Sequence, residues 1–97
     1  MSGVVLDPER RTVRVNGQPV EFTRLQFDVL AALIAANGRV LTPTFFLEEV
    51  WEREVESDSN TIKAHVVNIR RKLGPERHRL KTVRGVGYRW VSEKEEV

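Results

Sequence analysis

Asn60-Thr61-Ile62-Lys63-Ala64-His65-Val66-Val67-Asn68-Ile69-Arg70-Arg71-Lys72-Leu73 runs directly into Gly74-Pro75, a pair that ends a helix. This predicts a helix over 60–73. At about 100° per residue, Ile62, Val66, Ile69 and Leu73 fall on one narrow stripe, with Asn60, Ala64, Val67 and Arg71 opposite. Lys63 and Arg70 flank one side; Thr61, Asn68 and Lys72 flank the other. An ordinary surface helix shows dense charge of both signs on its outward face. This face has no acid and mixes small, apolar, amide and basic side chains.

Two further helices are expected upstream. Thr23 and Gln26 have the spacing of a capping box, with Phe22 and Phe27 placed as the hydrophobic staple. The first helix should run from Arg24 to about Ala36, ending at the left-handed cap offered by Asn37-Gly38, with Leu25, Val29, Leu30, Leu33 and Ile34 buried. Thr42-Pro43 announces the second, a capping hydroxyl followed by a residue suited to the first helical position. Its inward side chains should be Phe46, Leu47, Val50 and Trp51. Glu52 to Ser59 breaks the apolar period and reads as an acidic loop.

Strands are expected at both ends of this helical block. Val4-Val5-Leu6, Thr12 to Val15 and Pro19 to Phe22 carry strand formers, separated by a turn at Asp7-Pro8 and a hairpin turn at Asn16-Gly17. Leu80 to Arg84 and Tyr88 to Val91 form a second hairpin around Gly85-Val86-Gly87, with Val83 and Val91 facing the core and the arginines facing water. The Gly-x-Gly is no nucleotide fingerprint, since no helix follows it. The fold class is therefore α+β: an N-terminal antiparallel sheet (4–22), a three-helix core (23–73) and a C-terminal β-hairpin wing (80–91), a winged helix-turn-helix in one domain over 1–97.

Composition narrows the function. With 97 residues, 40% apolar and 31% charged, the chain is globular and too short for a multi-domain enzyme. It contains no cysteine and two histidines, so a disulfide framework, a thiolate metal site or a zinc centre is not expected, and neither is a cofactor. His65 and His78 have no serine, cysteine or carboxylate at a spacing that completes a catalytic unit. No apolar run approaches the roughly 20 residues of a membrane span, and Met1 to Leu6 lacks the pattern of a signal peptide; a soluble, cytoplasmic protein with no membrane partner is expected.

Charge is unevenly placed. Overall it is +2, but residues 60–90 carry nine Lys and Arg against Glu76 alone, a local +8 that leaves −6 elsewhere. Such asymmetry points to a polyanion, whose condensed counterions are released on binding; a solvated basic helix is the other reading. The outward face of helix 60–73 favours the first: Asn suits adenine, Arg or Lys suits guanine, and Ala or Val meets a thymine methyl. Arg84, on the hairpin, would reach a minor groove or its phosphates, or stand in solvent.

Five segments in order carry a more specific resemblance: Phe22-Thr23-Arg24-Leu25-Gln26-Phe27-Asp28-Val29-Leu30, Asn37-Gly38-Arg39-Val40-Leu41-Thr42, Val50-Trp51, Asn60-Thr61-Ile62 through Ile69-Arg70-Arg71-Lys72-Leu73, and Thr82-Val83-Arg84-Gly85-Val86-Gly87-Tyr88-Arg89. Together they resemble the OmpR/PhoB-type effector domain of bacterial two-component response regulators, over nearly the whole chain. The resemblance implies a transcription regulator's sequence-specific domain for double-stranded DNA, its third helix in the major groove. It implies base-facing Asn60, Lys63, Ala64, Val67, Asn68 and Arg71, backbone-holding Trp51, Thr61, His65, Arg70, Lys72, Thr82 and Tyr88, and Arg84 as the reach of the wing. It further implies direct-repeat half-sites occupied by a homodimer or tandem copies, and RNA polymerase met by loop 52–59, for which a solvated acidic loop is an equal reading.

Departures from the family pattern bear on specificity rather than fold. Thr44-Phe45-Phe46 stands where Arg-Glu-Glu is frequent, Lys63 where an acidic residue is common, and Val67 or Asn68 where a basic residue is frequent. Nothing here resembles the receiver domain that usually precedes such an effector, which leaves an excised domain or a protein acting without one. The competing function is a winged helix that docks an acidic protein partner.

Overall fold

The capping box forms as its spacing predicts: the Gln26 amide donates to Thr23 Oγ1 and the Thr23 amide to Gln26 Oε1, both at 3.2 Å. With its first turn satisfied in this way, α1 spans Arg24–Ala35. Phe27, Val29, Leu30 and Leu33 are buried, while Leu25 and Ile34 are half-buried against the same core. Asn37 and Gly38 take positive φ, +52° and +93°, and turn the chain away. The computed structural model describes residues 3–50 and 59–92, the side chains of 59–61 excepted. Trp51 and most of loop 52–59 lie outside the described residues.

Ahead of α1, β1 (Val4–Asp7), β2 (Thr12–Val15) and β3 (Gln18–Val20) form an antiparallel sheet in sequence order. Val15 pairs with Gln18 across a two-residue loop in which Asn16 (φ +50°) and Gly17 (φ +84°) both adopt left-handed conformations. Alternation sends Val13 and Val15 into the core. Arg11 ties this sheet to α1 by pairing with Asp28 and lying 5.1 Å from the centre of the Phe27 ring.

The second helix departs from the expected regular form. After Pro43–Phe45 (α2), capped by Thr42 Oγ1, the chain widens into a π-helical turn over Phe46–Val50. The wider turn accompanies two adjacent rings with opposite destinations: Phe46 is fully buried, whereas Phe45 is 37% exposed and packs edge-on against it at 6.0 Å. Leu47 and Val50 are half-buried.

α3 spans Ser59–Leu73 and continues into a 3₁₀ turn, Gly74–Arg79, that sequence patterning did not anticipate. β4 (Leu80–Val83) and β5 (Gly87–Trp90) then make the wing. Its inward side chains are Leu80 and Trp90; Val91 is buried just past β5, and Val83, expected in the core, is half-buried. The wing is also docked laterally. Leu41 and Tyr88 exchange backbone hydrogen bonds at 2.8 and 2.9 Å, an approach that needs Gly87, where a Cβ would lie 2.1 Å from the Leu41 carbonyl oxygen.

Candidate nucleic-acid interface

The seam of α3 is as expected: Ile62, Val66, Ile69 and Leu73 are at most 1% exposed and anchor the helix on α1 and the wing base. That anchoring turns Lys63, Ala64, Val67 and Arg71 outward, all exposed, with Asn68 half-buried beside them. Arg71 Nη1 donates to Asn68 Oδ1 at 3.4 Å, so the amide and guanidinium are held as neighbours on this face. Arg70, Arg71 and Lys72 occupy the last turn, where the helix dipole favours cations. The side chains of Asn60 and Thr61 fall outside the described residues.

Arg70 and Lys72 have internal partners that sequence reasoning missed. Arg70 donates from Nε and Nη2 to the Leu80 carbonyl at 3.0 and 2.8 Å, and from Nη2 to Thr82 Oγ1 at 2.7 Å. Lys72 Nζ donates to Gln26 Oε1 at 2.6 Å and sits 5.3 Å from the centre of the Phe22 ring. The same Gln26 oxygen thus serves the α1 cap and α3 together. His65 is half-buried, and burial pushes its pKa below the usual 6.5 by desolvating the charged form.

On the wing, Arg84 is exposed at the turn, with Gly85 at φ +78° behind it. Arg89 corrects the expectation that the wing arginines face water: it is half-buried and donates from Nε to the Gly38 carbonyl at 3.0 Å. Between the start of α2 and the wing runs an open groove of about 500 Å³ lined by Thr42, Thr44, Thr82, Gly85 and Tyr88 among others.

Arg79 does not belong to the exposed basic surface. It is 5% exposed, donates from Nε to Glu76 Oε1 at 2.6 Å and from Nη1 to the Val91 carbonyl at 3.2 Å. Glu76 Oε2 in turn accepts from Asn16 Nδ2 at 3.5 Å. With this pair neutralised inside, residues 60–90 carry eight other cations and no other acid. Among the described residues no three His, Cys, Asp or Glu side chains are grouped to hold a metal ion, and no helix is long and apolar enough to cross a membrane.

Residues 17–90 match the family model described as "Transcriptional regulatory protein, C terminal". The chain belongs to this family, the OmpR/PhoB-type effector domains. The effector family is a class of transcription-factor DNA-binding domains, not enzymes. Among its relatives, the response regulator MprA of Mycolicibacterium vanbaalenii is 40% identical over 89 residues, covering 90% of this chain and 38% of that protein. Regulatory protein VanRB of Enterococcus faecalis is 38% identical over 86 residues, covering 89% of this chain and 38% of that protein. The chain therefore spans about two fifths of the length of the curated relatives it matches. Its winged-helix effector fold is shared with the Klebsiella pneumoniae RstA DNA-binding domain, solved in complex with the RstA box: TM-score 0.79, 28% identity, 94% of each chain covered. A streptococcal redox sensor evolved from two-component response regulators superposes at TM-score 0.82, with 32% identity over 95% of this chain and 41% of that one.

Proposed function

We propose that residues 1–97 act as one sequence-specific domain for double-stranded DNA in a cytoplasmic transcription regulator, with α3 in the major groove and the β4–β5 wing at the minor groove or backbone. The observation that carries this reading is the outward face of α3: exposed Lys63, Ala64, Val67 and Arg71 with Asn68 beside them, free of acid and set in a basic segment. Asn60 completes the base-reading set. Thr61, His65, Thr82 and Tyr88, with Trp51, hold the backbone, and Arg84 reaches from the wing. Arg70 and Lys72 contribute positive potential from positions fixed by their internal partners. The RstA domain, similar in sequence and fold, is solved on its own DNA box, which supports carrying the same class of partner to this chain.

One domain covers one half-site, so two copies on direct repeats suit an operator of two half-sites about one helical turn apart. An RNA polymerase contact through loop 52–59 belongs to the same proposal. The test is selection of preferred duplexes from a random pool, followed by binding at several salt concentrations. Each phosphate neutralised adds about 0.9 to the logarithmic salt slope, and Asn68→Ala is expected to relax base preference by roughly 1–3 kcal/mol. Equal affinity for selected and scrambled duplexes would leave the competing role, docking of an acidic protein, as the better account.

A further inference from the structure

The outward face of α3 holds an aliphatic side chain at its centre. Val67 is 47% exposed, and Ala64, also exposed, lies one turn before it on the same face. A scattered surface valine is ordinary, but here the neighbours are exposed Lys63 and Arg71, with Asn68 alongside. Phosphate oxygens and base amides give a valine nothing to bind. The one feature of the major-groove edge that gains from an aliphatic neighbour is the C5 methyl of thymine. The Arg71–Asn68 hydrogen bond at 3.4 Å keeps polar donors beside this apolar spot, so neighbouring bases can be read by hydrogen bonds while one is read by contact alone.

Resting on the DNA-binding reading above, the geometry points to Val67, backed by Ala64, as a specificity-determining residue that recognises a thymine by its methyl group. Replacing thymine by uracil deletes that methyl and leaves every hydrogen-bonding group of the base pair in place. Losing the burial of one such group weakens binding about fourfold. Val67 is exposed, so Val67→Ala shortens the side chain without opening the core.

The experiment takes the full chain and a duplex selected from a random pool, and replaces each thymine by uracil in turn. One or two positions are expected to cost the parent about fourfold in affinity, and Val67→Ala is expected to lose that sensitivity while still preferring the selected duplex to a scrambled one. The assignment is overturned if a discriminating parent is indifferent to every thymine-to-uracil change, if Val67→Ala keeps the parent's methyl sensitivity, or if the selected site contains no thymine. The DNA-binding reading survives all three of those results. It fails, taking this inference with it, if the parent does not discriminate the selected duplex at all.

Discussion

Arg70 Nη2 donates to the Thr82 hydroxyl at 2.7 Å and so fastens the last helix to the first strand of the wing. Two further bonds from Arg70 to the Leu80 carbonyl make the junction a fork that a lysine cannot reproduce. The angle between α3 and the wing therefore depends on a guanidinium rather than on a charge. Arg70→Lys is expected to lower unfolding stability by about 1 kcal/mol and to weaken duplex binding, with the salt slope near that of the parent because the charge is kept. Denaturant unfolding and a salt series of binding isotherms check both; a parent-like affinity would remove the junction from the account.

Glu76 and Arg79 are a buried pair whose separation costs more than its presence contributes. Glu76→Ala removes the carboxylate that accepts from the Arg79 guanidinium, 5% exposed, at 2.6 Å. A loss of about 1.5–3 kcal/mol, that of a hydrogen bond to a charged group, is expected, read as a shift of the denaturant midpoint. A change below about 0.5 kcal/mol, the range of an ordinary surface substitution, would mean that the pair is not holding the 3₁₀ turn.

Gly87→Ala is expected to break the dock between β5 and the segment leading into α2. The added methyl would lie 2.1 Å from the Leu41 carbonyl oxygen, and neither backbone can give way without losing the Leu41–Tyr88 hydrogen bonds. Overpacking of this kind costs about 1–3 kcal/mol. Amide exchange should report it directly, as faster exchange at Leu41 and Tyr88.

Burial of His65 makes the stability of the fold depend on pH. Its pKa is lowered in the folded chain by desolvation, so the unfolded chain binds the proton more readily. Stability from this group is complete above the unfolded value of 6.5 and declines as pH falls through it toward the folded pKa. The parent should lose stability more steeply than His65→Asn between about pH 7 and pH 5. Identical slopes would contradict the assignment, as would an imidazole titration with its NMR midpoint above 6.5.

What could be read in advance was local. The Thr23–Gln26 box, the Asn16-Gly17 turn and the Ile62–Val66–Ile69–Leu73 stripe each depend on residues a few positions apart, and each is found where its spacing puts it. The ties that set the site's geometry join distant positions: Gln26 to Lys72, Leu41 to Tyr88, Arg70 to Thr82, Gly38 to Arg89. Periodicity carries no information about such pairs. Arg79 shows a different failure. Glu76 and Arg79 are three apart, which a 3₁₀ turn stacks one above the other, but Gly74-Pro75 reads as a helix stop and hides the turn that aligns them. Among the site residues, exposure of Lys63, Ala64, Val67 and Arg71 followed from the stripe, whereas the internal engagement of Arg70 and Lys72 did not.

If the face of α3 turned from the core enters duplex DNA, chemical-shift mapping of the isotopically labelled chain, titrated with a selected duplex, should show it. The largest changes are expected at Lys63, Ala64, Val67, Asn68 and Arg71, with a second set at Arg84 and Gly85, while β1 to β3 stay unperturbed. Changes confined to β1 to β3, with the α3 resonances unmoved at saturation, would contradict it.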